Sequence, residues 1–211
     1  MNRKLYIFFS IWSTWIFAFT FHDNLIPMTF NGETLDIPFL GGFNRPKIQW
    51  VDWDNDGDID IFILDAGGYL RYLENQGNST SPDFHLITTT FQNIYCGGWF
   101  YIADFDFDGD RDLIAQNDEN SDQISYLKNV GGSLYFIDLL SGSSGEIVTS
   151  SSVMTPTFSD IDNDGDIDVL GAARRADDIT WWENDGSESF TKRTIDANFD
   201  GAESVYAADI D

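Results

Sequence analysis

Apolar residues fall in short runs along most of this chain, and turns rich in Asp, Asn and Gly separate them. The runs recur in sets of four. An approach segment, at residues 48–53, 99–105, 155–161 and 205–210, leads into a polar loop. An apolar run leaves each complete loop, at 59–64, 112–115 and 167–170. An aromatic residue (Tyr72, Tyr126 or Trp181) and an Asn-x-Gly turn at Asn75, Asn129 or Asn184 then follow at matching offsets. A segment around Phe84, Phe136 or Phe190 completes the set. Segments rich in Ile, Val, Phe, Tyr and Trp between such turns predict four β-strands per repeat, joined by hairpins. Outside an apolar N-terminal run no window keeps a helical period, so the chain is predicted to be all-β.

The polar loops begin at Asp52, Asp104, Asp160 and Asp209, spaced 52, 56 and 49 residues. The run Ile61-Phe62-Ile63-Leu64 is apolar on both strand faces. A two-layer sandwich wets one face of each sheet and gives alternation instead. Strands buried on both faces predict four-stranded sheets stacked face to face around an axis, and a repeat near fifty residues agrees with a β-propeller. The expected division is a leader at 1–20 and an N-terminal segment at 21–47, with a candidate ring-closing strand at 35–40. Blades are expected at 48–98, 99–154 and 155–204, and the start of a fourth at 205–211. Propellers close with about 4–8 blades. The visible repeats are therefore expected to form an open arc, and the chain to be an N-terminal fragment.

Charge sharpens the picture. The 211 residues hold 36 Asp plus Glu against 11 Lys plus Arg, a net charge of −25. With 42% hydrophobic and 16% aromatic residues this is not a disordered acidic tail. Nucleic acid and anionic membrane surfaces are excluded as main partners. Five Asp crowd into each of the stretches 52–60, 104–112 and 160–168, which read DWDNDGDID, DFDFDGDRD and DIDNDGDID.

The shared form is Asp-x-Asp-x-Asp-Gly-Asp-x-Asp. Carboxylates at positions 1, 3 and 5 can converge on a tightly curved backbone: Asp52, Asp54 and Asp56; Asp104, Asp106 and Asp108; Asp160, Asp162 and Asp164. Gly57, Gly109 and Gly165 permit the turn at position 6. Position 7 (Asp58, Asp110, Asp166) offers a backbone carbonyl, and position 9 (Asp60, Asp112, Asp168) completes an all-oxygen shell. Asp209 and Asp211 open a fourth loop. Hard oxygen ligands on a flexible loop select Ca2+ over Zn2+ or softer metals, about one ion per complete loop and three in this chain. A solvated hairpin with this much unneutralised acid would repel itself. An EF-hand is excluded, because position 12 is Ile63, Ala115 or Gly171 where that loop needs a bidentate acid, and the flanks are strand-like.

These loops, their spacing and segments such as WWENDGSESFTKRTI resemble the FG-GAP/VCBS repeat family, the integrin-α-like β-propellers, over residues 45–211. The resemblance implies Ca2+ held in the hairpin between the first and second strands of each blade, and about seven blades in all. It also implies an extracellular role in adhesion or ligand binding. No Gly-Ala-Pro and no Phe-Gly occurs, so integrin-type partner recognition is not carried over.

Arg3 and Lys4 precede an uncharged apolar stretch at 5–21, the pattern of a secretory signal peptide, with Ala18 and Thr20 placing cleavage after Thr20. The stretch is also near the length of a membrane anchor. Either puts the remainder outside the cytoplasm, secreted or at the cell surface. The single cysteine, Cys96, allows no internal disulfide and is expected to be buried. Asn78-Ser79-Thr80 is a glycosylation acceptor sequence. The leading expectation is a non-enzymatic adhesion or ligand-binding module, with structural Ca2+ and an extracellular protein or glycan as partner. The alternative is the scaffold or carbohydrate-binding part of a secreted, lyase-like polysaccharide-degrading enzyme. Residues weighed for catalysis are His85, Tyr95, Tyr101, Arg174 and Arg175, which share no motif. Trp99, Trp181 and Trp182 are expected to fill the core rather than to stack on sugars.

Overall fold

A computed structural model describes residues 4–5, 19–20, 28–30, 32–35, 42–142, 145–148, 156–173, 177–186 and 189–208. The chain divides into two units, residues 1–40 and 41–211.

In the first unit, β1 (Lys4–Leu5) pairs antiparallel with β2 (Phe19–Thr20). The other leader residues lie outside the described ones. A hairpin of β3 (Met28–Phe30) and β4 (Glu33–Leu35) turns at Gly32, whose φ of +92° a side chain resists. Of the candidate strand at 35–40 only Leu35 is described, as the last residue of β4; residues 36–40 lie outside the described ones.

Among its described residues the second unit holds three sheets, antiparallel apart from one short edge strand. Strands β5 (Lys47–Val51), β6 (Asp60–Leu64), β7 (Leu70–Asn75) and β8 (Phe84–Thr88) form the first, in chain order. After a 3-10 turn at Phe91–Asn93, β9 (Phe100–Ala103), β10 (Asp112–Gln116), β11 (Ile124–Val130) and β12 (Ser133–Leu139) form the second, also in chain order. The third joins β14 (Thr157–Ser159), β15 (Asp168–Ala173), β16 (Asp178–Asn184) and β17 (Ser189–Asp196). A short β13 (Ser141–Gly142) lies parallel along the outer edge of β17, so residues expected within the second blade add a fifth strand to the third. The all-β, four-stranded reading holds.

The second strand of each sheet explains the unbroken apolar runs. All five residues of β10 are buried, and only Ile61 of β6 is partly open. Burying a side chain such as Phe62 or Leu113 stabilises by about 1.5–3 kcal/mol. One core joins the first sheet to the second, with Trp53, Phe62, Tyr72 and Phe91 against Phe100, Ile102 and Leu113. Another joins the second to the third, with Trp99, Phe105, Ile114 and Tyr126 against Phe158, Val169 and Trp182. Sheets therefore stack face to face, as blades do. Trp99 and Trp182 are core residues, while Trp181 is half-buried.

Polar side chains fix the stacking register. The Gln49 amide donates to the Ile102 carbonyl (2.5 Å) and accepts the Ile102 N–H (2.9 Å). Gln92 makes the same two-way clamp on the Gly132 carbonyl (2.8 Å) and the Leu134 N–H (2.9 Å).

The fourth approach strand is corrected. Residues 205–208 are not a strand, since no ladder partner satisfies their backbone among the described residues; the Thr157 hydroxyl donates to the Val205 carbonyl instead (2.7 Å). No helix among the described residues is long and apolar enough to cross a membrane.

Candidate metal centre

Each acidic loop links the first two strands of its sheet, β5 to β6, β9 to β10 and β14 to β15. The three share one backbone path. Position 4 is left-handed in all (φ 58° at Asn55, 58° at Phe107, 61° at Asn163), and so is the glycine at position 6 (φ 93°, 97° and 104°). The glycine N–H donates back to position 1, from Gly57 to Asp52, Gly109 to Asp104 and Gly165 to Asp160, each at 3.1 Å. Phe107 is the misfit, because an L-aromatic in this region is strained while Asn tolerates it. Phe107→Asn, which copies the other two loops, is expected to stabilise by about 1 kcal/mol. A rise in Tm at fixed Ca2+ checks this, and a fall would count against it.

The turn brings carboxylates together. One ligand oxygen from each of Asp52, Asp54 and Asp56 lies within 4.8 Å of the others, as does one from each of Asp104, Asp106 and Asp108. In the third loop the group is Asp160, Asp162 and Asp168, so position 9 takes the place of Asp164. Ca2+ holds oxygens at about 2.3–2.6 Å, so its ligands can lie up to about 5 Å apart, and these clusters fit that shell. Asp52 Oδ1 and Asp104 Oδ1 are buried and accept no hydrogen bond from the protein. A buried anionic oxygen without a donor is costly unless a cation or water meets it. In the third loop Asp160 Oδ1 accepts the Asp164 N–H instead (3.1 Å).

Position 9 is engaged within the protein. Asp60, Asp112 and Asp168 are at most 2% exposed. Asp112 accepts the Phe105 N–H (3.2 Å) and the Tyr126 hydroxyl (3.1 Å) on Oδ2, and the Asn129 N–H (2.8 Å) on Oδ1. Asp60 repeats the set with Trp53, Tyr72 and Asn75. Asp168 accepts the N–H groups of Ile161 (2.9 Å) and Asn184 (2.8 Å). Trp181 stands at the register of the two tyrosines. Burial raises the Asp168 carboxyl above its ordinary range, and the two backbone donors and the Trp181 indole oppose the shift, though the indole closes no full hydrogen bond. Burial likewise pushes Asp112 up to about 6. The third-strand Asn is buried in every sheet, and the amides of Asn129 and Asn184 donate to the carbonyl just before position 9 (3.0 and 3.2 Å).

Position 7 residues Asp58, Asp110 and Asp166 lie at the half-open edge of the loops; Asp209 and Asp211 are outside the described residues. Sequence reasoning missed the Tyr72 and Tyr126 hydroxyls and the Asn side chains, although their constant distance from each other was a usable signal. It also missed Lys128, whose ammonium pairs with Asp106 and lies 3.1 Å from Asp108 Oδ2.

The residues weighed for catalysis are engaged elsewhere or not described. His85 pairs with Asp83 (3.3 Å), Tyr95 packs edge-on to Tyr69 and Tyr101 stacks on Phe158. Arg174 and Arg175 are outside the described residues. Cys96 is buried, and burial pushes its thiol up to about 12.

No curated protein and no solved structure matches the chain significantly. A family model described as an FG-GAP-like repeat matches residues 52–115, 104–171 and 160–211, each match starting at the first Asp of a loop. With its three loops, its stacked four-stranded sheets and this match over most of its length, the chain belongs to the FG-GAP-like repeat family.

Proposed function

We propose that this chain is a Ca2+-stabilised, propeller-like binding module that works outside the cytoplasm, where it engages a protein or glycan ligand. The observation that carries the Ca2+ reading is the convergence of three carboxylates within 4.8 Å in each of three loops. Donorless buried oxygens on Asp52 and Asp104 support it. Ca2+ has a structural role here: it offsets carboxylate repulsion and pins each loop between two strands. The basic and apolar N-terminal pattern supports an extracytoplasmic site, where Ca2+ is abundant enough for weak modules with Kd about 10⁻⁴–10⁻³ M. A non-catalytic role is supported by the engagement of His85 with Asp83 and of Tyr101 with Phe158.

Calorimetric titration tests the metal reading. Wild type is expected to take up about one Ca2+ per complete loop, and Asp54→Ala about one fewer. An unchanged count in Asp54→Ala removes the first loop as a site. Incubation with acidic polysaccharides is expected to release no unsaturated ends, and their appearance would turn the reading toward a lyase.

A further inference from the structure

The three loops are built alike but are not charged alike. The residue before the buried third-strand Asn is Glu74 in the first sheet, Lys128 in the second and Glu183 in the third. All three side chains act on their own loop. Glu74 adds negative charge to the field around Asp54, and Glu183 does so around Asp162. Glu183 is itself paired with Arg193, whose guanidinium also attracts Asp162, so the third loop has a cation in its field as well, one held by Glu183. Lys128 reverses the sign: its Nζ pairs with Asp106 Oδ2 and lies 3.1 Å from Asp108 Oδ2. Asp106 and Asp108 are two of the three carboxylates that converge in that loop.

We propose that Lys128 is a tethered counter-ion that competes with Ca2+ for the second loop, so that the first and third loops load first and the second loads last. This rests on the reading of the loops as Ca2+ sites. An ammonium neutralises part of the Asp106 and Asp108 charge but offers no oxygen ligands. Ca2+ needs those same carboxylates, and to reach them it must displace Lys128 and bind beside its positive charge. The consequence is a graded response in which the second loop stays partly neutralised when Ca2+ is scarce.

Calcium titration of the full chain, followed by calorimetry and by backbone amide spectra with 15N-labelled glycine, tests this. In wild type two sites are expected to bind roughly tenfold or more tighter than the third, as a like charge about 5 Å away demands. The Gly57 and Gly165 amides should shift before that of Gly109. Lys128→Glu, which copies the other two sheets, is expected to bring the third site close to the first two; Lys128→Gln should fall between. Three equal sites in wild type, or a Gly109 amide that shifts first or together with the others, would overturn the proposal and leave the Ca2+ reading intact. So would a third site that neither variant moves. A chain that binds no Ca2+ at all would overturn both.

Discussion

Asp112→Ala is expected to lose about 3–5 kcal/mol of stability whether Ca2+ is present or chelated. The substitution leaves the Phe105 N–H, the Asn129 N–H and the Tyr126 hydroxyl without their acceptor in a site that is 0% exposed. Each stranded buried donor costs about 1–3 kcal/mol, and relief of the buried carboxylate returns part of the sum. The cause is architectural. Asp112 ties the start of its own loop, through Phe105, to the third strand, through Asn129 and Tyr126. Denaturant unfolding of wild type and variant, each with Ca2+ and with a chelator, measures the effect. A variant that matches wild type in chelator and loses only the Ca2+-dependent increment would show Asp112 to be a ligand and nothing more. Asp110→Ala is the control, since that side chain sits at the half-open loop edge and accepts only a long bond from the Gly131 N–H (3.4 Å).

Chelation should produce the second large effect. At free Ca2+ about 100-fold above Kd each site adds about 2.7 kcal/mol to the native state. Two such sites give roughly 5 kcal/mol, which shifts Tm by roughly 10–20 °C in a domain of this size. The metal-free protein should also show an unusual pH response. Burial raises the Asp54, Asp60, Asp112 and Asp168 carboxyls, and Asp162 and Asp166 move the same way. A raised carboxyl favours the protonated form in the fold, so stability is highest near or below the unfolded pKa and is lost as pH rises through the folded one. For Asp112 that window runs from about 4 to about 6. Asp108 has the opposite sign and is outnumbered. Tm in chelator should therefore rise as pH falls from about 7 to about 5, whereas Ca2+ favours the ionised loops and flattens or reverses the trend. A curve in chelator that falls with acid, or one that EDTA leaves unchanged, would contradict this account.

Much of the architecture is legible in one dimension because the repeat prints the same local rules three times. Runs such as residues 61–64 are apolar at every position because both faces of their strand are covered, so continuity rather than alternation marks the central strands. The Asp-Gly spacing sets the loop path, since positions 4 and 6 must be left-handed for the glycine N–H to reach back to position 1. Other features depend on contacts with no fixed sequence distance. Strand β13 could not be expected, because two residues carry no periodicity and their partner, β17, begins 47 residues after the end of β13. The same holds for residues 205–208: they have strand composition, but a strand exists only where another backbone completes its hydrogen bonds.

The acidic loops show the division most clearly. Spacing along a tight turn lets positions 1, 3 and 5 approach, as they do in the first two loops, but in the third only folding decided that Asp168 rather than Asp164 joins Asp160 and Asp162. Folding decided what each carboxylate then does. Position 9 reads like one more ligand in the series, yet its strand carries it beneath the loop, where backbone N–H groups and a tyrosine or tryptophan from the third strand surround it. Lys128 lies more than fifteen residues beyond Asp112, and only the β10–β11 pairing sets its charge against Asp106 and Asp108. Ligand type and spacing are local properties of a chain. The field at a site is a sum over everything packed around it, and that sum exists only after the strands have paired.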